Sequence, residues 1–133
     1  MTSQQLLFFL IAGAIGLIIL RPLLFGGRRI KPAEAAAKVQ AGTAALIDVR
    51  EPAEWTSGVA KPAVLLPLSD LRGGRRLWAP FLAANRDKEL ILYCASGIRS
   101  GTAAVLLKKE GFKVANLGGF SRWTDASLPR RNP

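Results

Sequence analysis

The chain has 133 residues, a single cysteine and no histidine, which excludes an intramolecular disulfide, a thiolate metal cage and the usual zinc and haem ligand sets. We therefore expect no metal site, and the length suits one domain of about 100 residues. The net charge of +10 is compatible with nucleic acid, a membrane surface or small anions as partners. Because no aromatic residues interleave with the basic clusters, no nucleic-acid binding is expected.

A long apolar segment opens the chain. Residues 6–25 are apolar apart from the pair Arg21 and Pro22, and a helix of about 20 residues spans the core of a bilayer. A cleaved signal peptide is the competing interpretation, but no Lys or Arg side chain precedes the segment and no convincing cleavage site follows it. We therefore predict a transmembrane helix over residues 6–25, joined by a basic linker that ends at residue 31.

The linker predicts the orientation of this helix. Arg28, Arg29 and Lys31 follow the apolar segment closely, and positive charges favour the cytoplasmic side of a membrane. The expectation is a single-pass protein, at the inner membrane if it is bacterial, with the lipid bilayer as a partner and the C-terminal domain facing the cytoplasm.

Behind the linker, short apolar runs alternate with helix-forming segments over residues 32–130, leaving a tail at 131–133. Strands are predicted at residues 44–49, 64–66, 89–93 and 113–117, and helices at residues 32–40, 51–57, 75–85, 99–110 and 120–126. Strands that are apolar on both faces and alternate with helices are typical of a parallel α/β sheet that is covered on both sides.

The only cysteine stands where the third predicted strand ends. Cys94 is followed by the small residues Ala95, Ser96 and Gly97, and a helix is predicted to begin near Arg99. Loops at the carboxyl ends of parallel strands carry ligand sites, and inward-facing amides at a helix N-terminus favour a thiolate and bind anions. The pattern predicts a nucleophilic cysteine with an arginine that holds a substrate oxyanion. A small apolar side chain buried at a strand end is the alternative.

Three segments resemble the rhodanese (sulfurtransferase) superfamily, and they occur in the family's order. They are residues 46–55 with the sequence LIDVREPAEW, residues 94–100 with the sequence CASGIRS, and a closing segment that contains Gly118, Gly119, Phe120, Trp123 and Pro129. The resemblance implies a three-layer α/β fold with a central, mostly parallel five-stranded sheet over residues 32–130.

The resemblance also implies a reaction, the transfer of sulfane sulfur without a cofactor. Cys94 would accept sulfur from a small anionic donor such as thiosulfate, carry it as a persulfide and pass it to cyanide, a thiol or a protein. Asp48 and Arg50 would be supporting residues, with Arg50 paired to Glu51 or Glu54, and a purely structural ion pair is the alternative for them. The implied substrate-binding residues are Ala95, Ser96, Gly97, Ile98, Arg99 and Ser100.

Two details of the loop refine this expectation. Four residues separate Cys94 from Arg99, whereas related phosphatases and arsenate reductases have five, so the shorter loop favours a sulfur atom over a phosphoryl group. The residue after the cysteine is often basic in relatives and is Ala95 here, which makes the pocket less cationic for thiosulfate.

Two alternatives of other kinds stay open. The chain could be a non-catalytic binding module that uses the same fold to hold a protein partner at the membrane, although the retained cysteine and arginine favour an enzyme. The basic clusters at residues 72–76 and 108–109 are interpreted as solvated surface, with docking onto anionic lipid as the alternative.

Overall fold

A computed structural model describes residues 1–24 and 27–133, with side chains described for residues 1–18 and 27–133. The helices in these ranges are α1 (Ser3–Leu24), α2 (Pro32–Gln40), α3 (Pro52–Trp55), α4 (Leu68–Arg72), α5 (Trp78–Ala84), α6 (Ile98–Lys109) and α7 (Phe120–Asp125). The strands are β1 (Ala44–Asp48), β2 (Val59–Ala60), β3 (Val64–Leu65), β4 (Glu89–Cys94), β5 (Val114–Gly119) and β6 (Arg130–Arg131).

Four parallel strands form the central sheet, in the order β3-β1-β4-β5. Every residue of β4 and β5 is buried, as expected for a parallel sheet with helices on both faces. The parallel α/β architecture predicted from the apolar runs is therefore confirmed. A separate antiparallel pair, β2 with β6, lies outside this sheet and was not predicted.

Two apolar cores cover the two faces of the sheet. Alternate residues of β4 point into different cores, since Leu92 belongs to one and Ile91 to the other. Trp78 of α5 lies in the first core, and Trp123 of α7 lies in the second. The sheet is thus the middle of three layers, and its carboxyl edge holds the ends of β1, β4 and β5 together.

The central sheet has four strands rather than the predicted five, counting the described residues. In the fifth position, beside β5, the segment before α2 makes only an isolated parallel bridge between Arg29 and Asn116. The Asn116 amide donates to the Arg28 carbonyl at 2.8 Å. Pro32, which lacks an amide hydrogen and starts α2, ends the extended segment before it can form a strand.

This short segment nevertheless packs with the domain. Ile30 is 2% exposed and belongs to the second core, and its amide donates to the Asn116 carbonyl at 3.3 Å. At the other end, Arg131 pairs with Val59 in the small sheet. The domain limits of 32–130 and the tail at 131–133 stay predictions.

The first helix requires a correction. Among the described residues, no helix is long and apolar enough to cross a lipid bilayer. The prediction counted residues 6–25 as one span, but Phe25 lies outside the described residues and side chains are described only as far as residue 18. The predicted transmembrane helix, bilayer partner and single-pass localisation with a cytoplasm-facing domain are corrected accordingly.

The burial of Ile30 predicts that it stabilises the domain although it precedes the first helix of the domain. Replacing Ile30 by Ala should lower the free energy of unfolding by about 2–5 kcal/mol, because a buried cavity is left behind. Urea denaturation of the full chain measures this. The matched control is Ile18→Ala, since Ile18 is 67% exposed and its truncation should change the stability by no more than about 0.5 kcal/mol. Equal losses of unfolding free energy in the two variants would contradict the conclusion that Ile30 is part of the core.

Candidate active site

The backbone turns sharply at the carboxyl end of β4. Cys94 is the last residue of this strand, and Gly97 caps α6 with a φ of 94°, a conformation that side chains with a β-carbon rarely adopt. A β-carbon on Gly97 would also lie 3.1 Å from the Cα of Gly118 at the end of β5. The glycine therefore lets the loop fold back over the strand end and turn its amides towards the cysteine.

The Cys94 sulfur lies among hydrogen-bond donors of this loop. The amides of Gly97 and Ser100 donate to Sγ at 3.0 and 3.5 Å, and the Ser100 hydroxyl lies 3.5 Å from it. These donors come from the first residues of α6, where amides have no partner within the helix. The loop thus binds sulfur in the way that such turns bind anions.

This environment lowers the pKa of the Cys94 thiol. Burial acts in the opposite direction and is the largest single influence, but hydrogen bonds from Ser100 and from the Ser96 and Gly97 amides together outweigh it. The thiolate is the reactive form of cysteine. The sulfur is therefore prepared for nucleophilic attack.

A buried asparagine of β5 holds the loop in place. Asn116 is 1% exposed, and its side-chain oxygen accepts hydrogen bonds from the Ser100 hydroxyl at 2.8 Å and from the Gly118 amide at 2.9 Å. Its side-chain nitrogen donates to the Gly97 carbonyl at 3.1 Å. One side chain therefore connects both residues that donate to Sγ with the neighbouring strand.

The loop arginine is already paired in this structure. Both terminal nitrogens of Arg99 donate to the Glu54 carboxylate, the Nη2–Oε2 distance being 2.8 Å. The hydrogen bond from Arg99 holds the pKa of Glu54 at about 2, and the same bond raises the pKa of Arg99. An anionic substrate that is to bind Arg99 must compete with a carboxylate that is ionised at neutral pH.

Asp48 and Arg50 form a buried pair beside the loop. Arg50 Nη2 lies 2.8 Å from Asp48 Oδ2 and 2.8 Å from the Gly58 carbonyl oxygen, and the guanidinium lies 4.8 Å from the Phe120 ring centroid. The expected pairing of Arg50 with the carboxylate of Glu51 or Glu54 is wrong, since Arg50 meets only the Glu54 carbonyl, at 3.4 Å. The Glu51 carboxylate instead accepts hydrogen bonds from Ser69, and the Glu54 carboxylate pairs with Arg99.

The sequence was compared with families, curated proteins and solved structures. Residues 31–126 match the family described as Rhodanese-like domain. The chain belongs to this family. An uncharacterized protein of Bacillus subtilis, YqhL, is 42% identical over 82 residues, which are 60% of this chain and 60% of YqhL. A sulfurtransferase of Allochromatium vinosum is 36% identical over 86 residues, 63% of this chain and 75% of the relative.

A solved sulfurtransferase structure has the same fold as this chain. The human single-domain sulfurtransferase TSTD1 superposes with a TM-score of 0.62 at 25% identity, covering 75% of this chain and 97% of TSTD1. Together these sulfurtransferase relatives support sulfur transfer as the general class of reaction of the rhodanese-like domain. The match nevertheless spans less than two thirds of the length of YqhL.

The structure brings together only part of the predicted site. Of residues 95–100, Ser96, Gly97 and Ser100 hydrogen-bond to the sulfur. In the described chain, neither Asp48 nor Arg50 does. Within the rhodanese-like domain, Cys94 itself is fully buried, whereas Ile98 at the loop tip is 76% exposed. The loop therefore covers the sulfur and presents an apolar side chain to solvent.

Two residues of the site were missed from the sequence. Asn116 is a polar residue within an otherwise apolar strand, and such a residue must find hydrogen-bond partners when buried. That signal was present in the sequence. Glu54 was considered only as a partner of Arg50, and nothing in the sequence indicated that Arg99 from a distant helix would reach it.

The contacts of Ser100 predict its effect on the cysteine. Ser100→Ala removes the hydroxyl from Sγ and should raise the pKa of Cys94, while Asn116 still accepts from the Gly118 amide. The pH dependence of alkylation by iodoacetamide measures this pKa. The control is Ser121→Ala, an exposed position of α7, which should leave the profile unchanged. An unaltered profile in Ser100→Ala would show that the amides alone set the pKa.

The buried pair predicts a strong loss of stability when one partner is removed. Asp48→Ala leaves the Arg50 guanidinium buried with a side chain only 6% exposed, which should cost about 3–5 kcal/mol of unfolding free energy. The double variant Asp48→Ala with Arg50→Met should recover part of this loss, because no unpaired charge is left. Urea denaturation of the four proteins measures the coupling. Losses that simply add would contradict it.

Proposed function

We propose that the protein is a rhodanese-type sulfurtransferase in which Cys94 carries the transferred sulfur as a persulfide. The observation that carries the proposal is the lowered pKa of a thiol whose Sγ lies 3.0 Å from the Gly97 amide, at the start of α6. Membership of the rhodanese-like family and the sulfurtransferase relatives support the same reaction class.

In the first half-reaction the donor is a small anion such as thiosulfate. The Cys94 thiolate attacks the outer, sulfane sulfur of the donor, and a new S–S bond forms. The S–S bond of thiosulfate breaks, and sulfite leaves with its electron pair. The product is a persulfide whose terminal sulfur is negatively charged, and no external oxidant or reductant is needed.

The second half-reaction returns the enzyme to its starting state. Cyanide, a thiolate or a protein acceptor attacks the terminal sulfur, the persulfide bond breaks, and the Cys94 thiolate leaves. Because the chain contains one cysteine, no second thiol of the same chain can resolve the persulfide. We therefore expect the acceptor to be a separate molecule rather than another of these 133 residues.

The loop residues have separable roles in this scheme. The backbone amides of Ser96, Gly97 and Ser100 would hold the negative charge of the thiolate and of the persulfide. Arg99 would bind an oxygen atom of the donor, exchanging Glu54 for it. Asp48 and Arg50 would support the site through the strand end that they brace.

The test of this proposal is the mass of the protein after incubation with thiosulfate. The wild-type chain should gain about 32 Da, one sulfur atom on a nucleophilic thiolate, and lose it again when cyanide is added. Cys94→Ser should gain nothing and should transfer sulfur at least about 10³-fold more slowly. Urea denaturation checks that this variant still folds.

The outcomes separate the enzyme from a binding module. Ser96→Ala, which keeps the backbone amide, is the matched control and should retain the adduct. If the wild-type chain takes up no sulfur from thiosulfate or from an organic persulfide, the enzymatic proposal fails and a non-catalytic rhodanese-like module is the better explanation.

A further inference from the structure

Two adjacent arginines before α2 point towards opposite edges of the central sheet. Arg28 Nη2 lies 3.0 Å from Glu34 and 3.8 Å from Glu89, the first residue of β4. Arg29 instead lies against Gly118 near the end of β5. Because parallel strands share their carboxyl edge, Arg28 faces the amino edge of the sheet and Arg29 faces the edge that carries Cys94.

The Arg29 guanidinium lies beside the loop that holds the sulfur. A β-carbon on Gly118 would be 3.0 Å from Arg29 Nη2, and a β-carbon on Gly97 would be 3.7 Å from Arg29 Nη1. Gly97 is the residue whose amide donates to Sγ at 3.0 Å. The absence of a β-carbon at Gly118 leaves room for the guanidinium, and a β-carbon on Gly97 would be in ordinary van der Waals contact with it.

The backbone holds Arg29 in this position. Arg29 bridges to Asn116, and the residues on either side of it bond to the Asn116 backbone, Arg28 through its carbonyl at 2.8 Å and Ile30 through its amide at 3.3 Å. The side chain of the same Asn116 fixes Gly97 and Ser100. The arginine and the sulfur-binding loop are therefore attached to one residue of β5.

Arg29 differs from Arg99, the charged residue of the loop, because its charge is not paired within the described part of the chain. Arg99 is neutralised by Glu54, and the position after the cysteine is the uncharged Ala95. In the ranges that the structure describes, Arg29 has neither an ion pair nor a side-chain hydrogen bond, and it is exposed. An anion that approaches the loop would thus meet an uncompensated guanidinium on the Arg29 side and a carboxylate on the Glu54 side.

We propose that Arg29 is a specificity-determining residue, whose guanidinium beside Gly97 and Gly118 favours anionic sulfur donors over neutral ones at Cys94. The proposal rests on the proposed sulfurtransferase function and adds to it a residue from the segment before the first helix of the domain. Arg29 acts by attracting the donor and stabilising its negative charge, whereas the bond changes occur at Sγ.

The test compares two alkylating reagents on the full chain. Iodoacetate is an anion and iodoacetamide is neutral, and both react with the same Cys94 thiolate. The ratio of their rate constants is therefore independent of the cysteine pKa and reports the local charge. At low salt, Arg29→Gln should lower the iodoacetate-to-iodoacetamide ratio on the order of 3- to 10-fold, and Arg29→Lys should keep most of it.

The neighbouring arginine is the matched control. Arg28→Gln removes the same charge from the adjacent residue, where the guanidinium pairs with Glu34 on the other edge, and the ratio should stay unchanged. Arg122→Gln tests the other cation at this point, since the Arg122 Cδ would lie 2.9 Å from a β-carbon on Gly118. An unchanged ratio in Arg29→Gln, an equal fall in Arg28→Gln, or a larger fall in Arg122→Gln would overturn the proposal.

Donor kinetics then connect the charge to sulfur transfer. Arg29→Gln should raise KM for thiosulfate with little change in kcat, and should leave a neutral organic trisulfide donor unaffected. A fall in the alkylation ratio without any sulfur uptake by the wild-type chain would support the anion preference and reject only the sulfurtransferase function. Sulfur uptake with equal KM values for thiosulfate in the two proteins would reject the role of Arg29 alone.

Discussion

The buried side chain of Asn116 is the contact on which the geometry of the site depends. It bonds to Gly97, Ser100 and Gly118 at 2.8 to 3.1 Å, and so connects the cysteine loop, the start of α6 and the end of β5. A buried amide left without partners would destabilise the domain, which means that the loop and strand must keep this arrangement together. The donors to Sγ are thereby held in position before any substrate arrives.

Amide donors that are already held around Sγ suit a reaction in which negative charge stays on sulfur. The thiolate, the persulfide and the leaving thiolate each place charge at or next to the same atom, so the same amides can serve every step. Burial opposes ionisation of Cys94, but it also excludes water from the sulfur. Hydrogen bonds to Sγ are stronger in such a dry environment than in water. The balance favours the thiolate because several donors act on one sulfur.

The charges on the two sides of the cysteine loop differ in sign. On one side Glu54 is held ionised by Arg99 and reduces the pull of the loop on anions. On the other side Arg29 lies next to the two glycines that close the loop. Under the proposal made for Arg29, the selectivity between anionic and neutral donors would depend on a residue outside the loop, one that the sequence alone assigns to a basic linker.

The sequence by itself determined the family, the parallel α/β architecture and the position of Cys94 at the end of a buried strand. These follow from local signals: short apolar strands of three to six residues, the small residues after Cys94, and three motifs in a fixed order. The same kind of reasoning failed where it extended a local pattern without a tertiary check. The membrane span predicted over residues 6–25 was wrong, and the fifth strand that the resemblance implied is only an isolated bridge next to Pro32.

Only the tertiary structure decided which charges meet. Arg50 could pair with Asp48, Glu51 or Glu54 by sequence distance, and it pairs with Asp48 in a fold where Glu51 bonds to Ser69 and Glu54 to Arg99. Glu54 meets Arg99 across 45 residues, and Arg29 reaches Gly97 across a strand that lies between them in space. Such pairs depend on which strands are neighbours and on where each side chain points, and neither is contained in the pattern of any single segment.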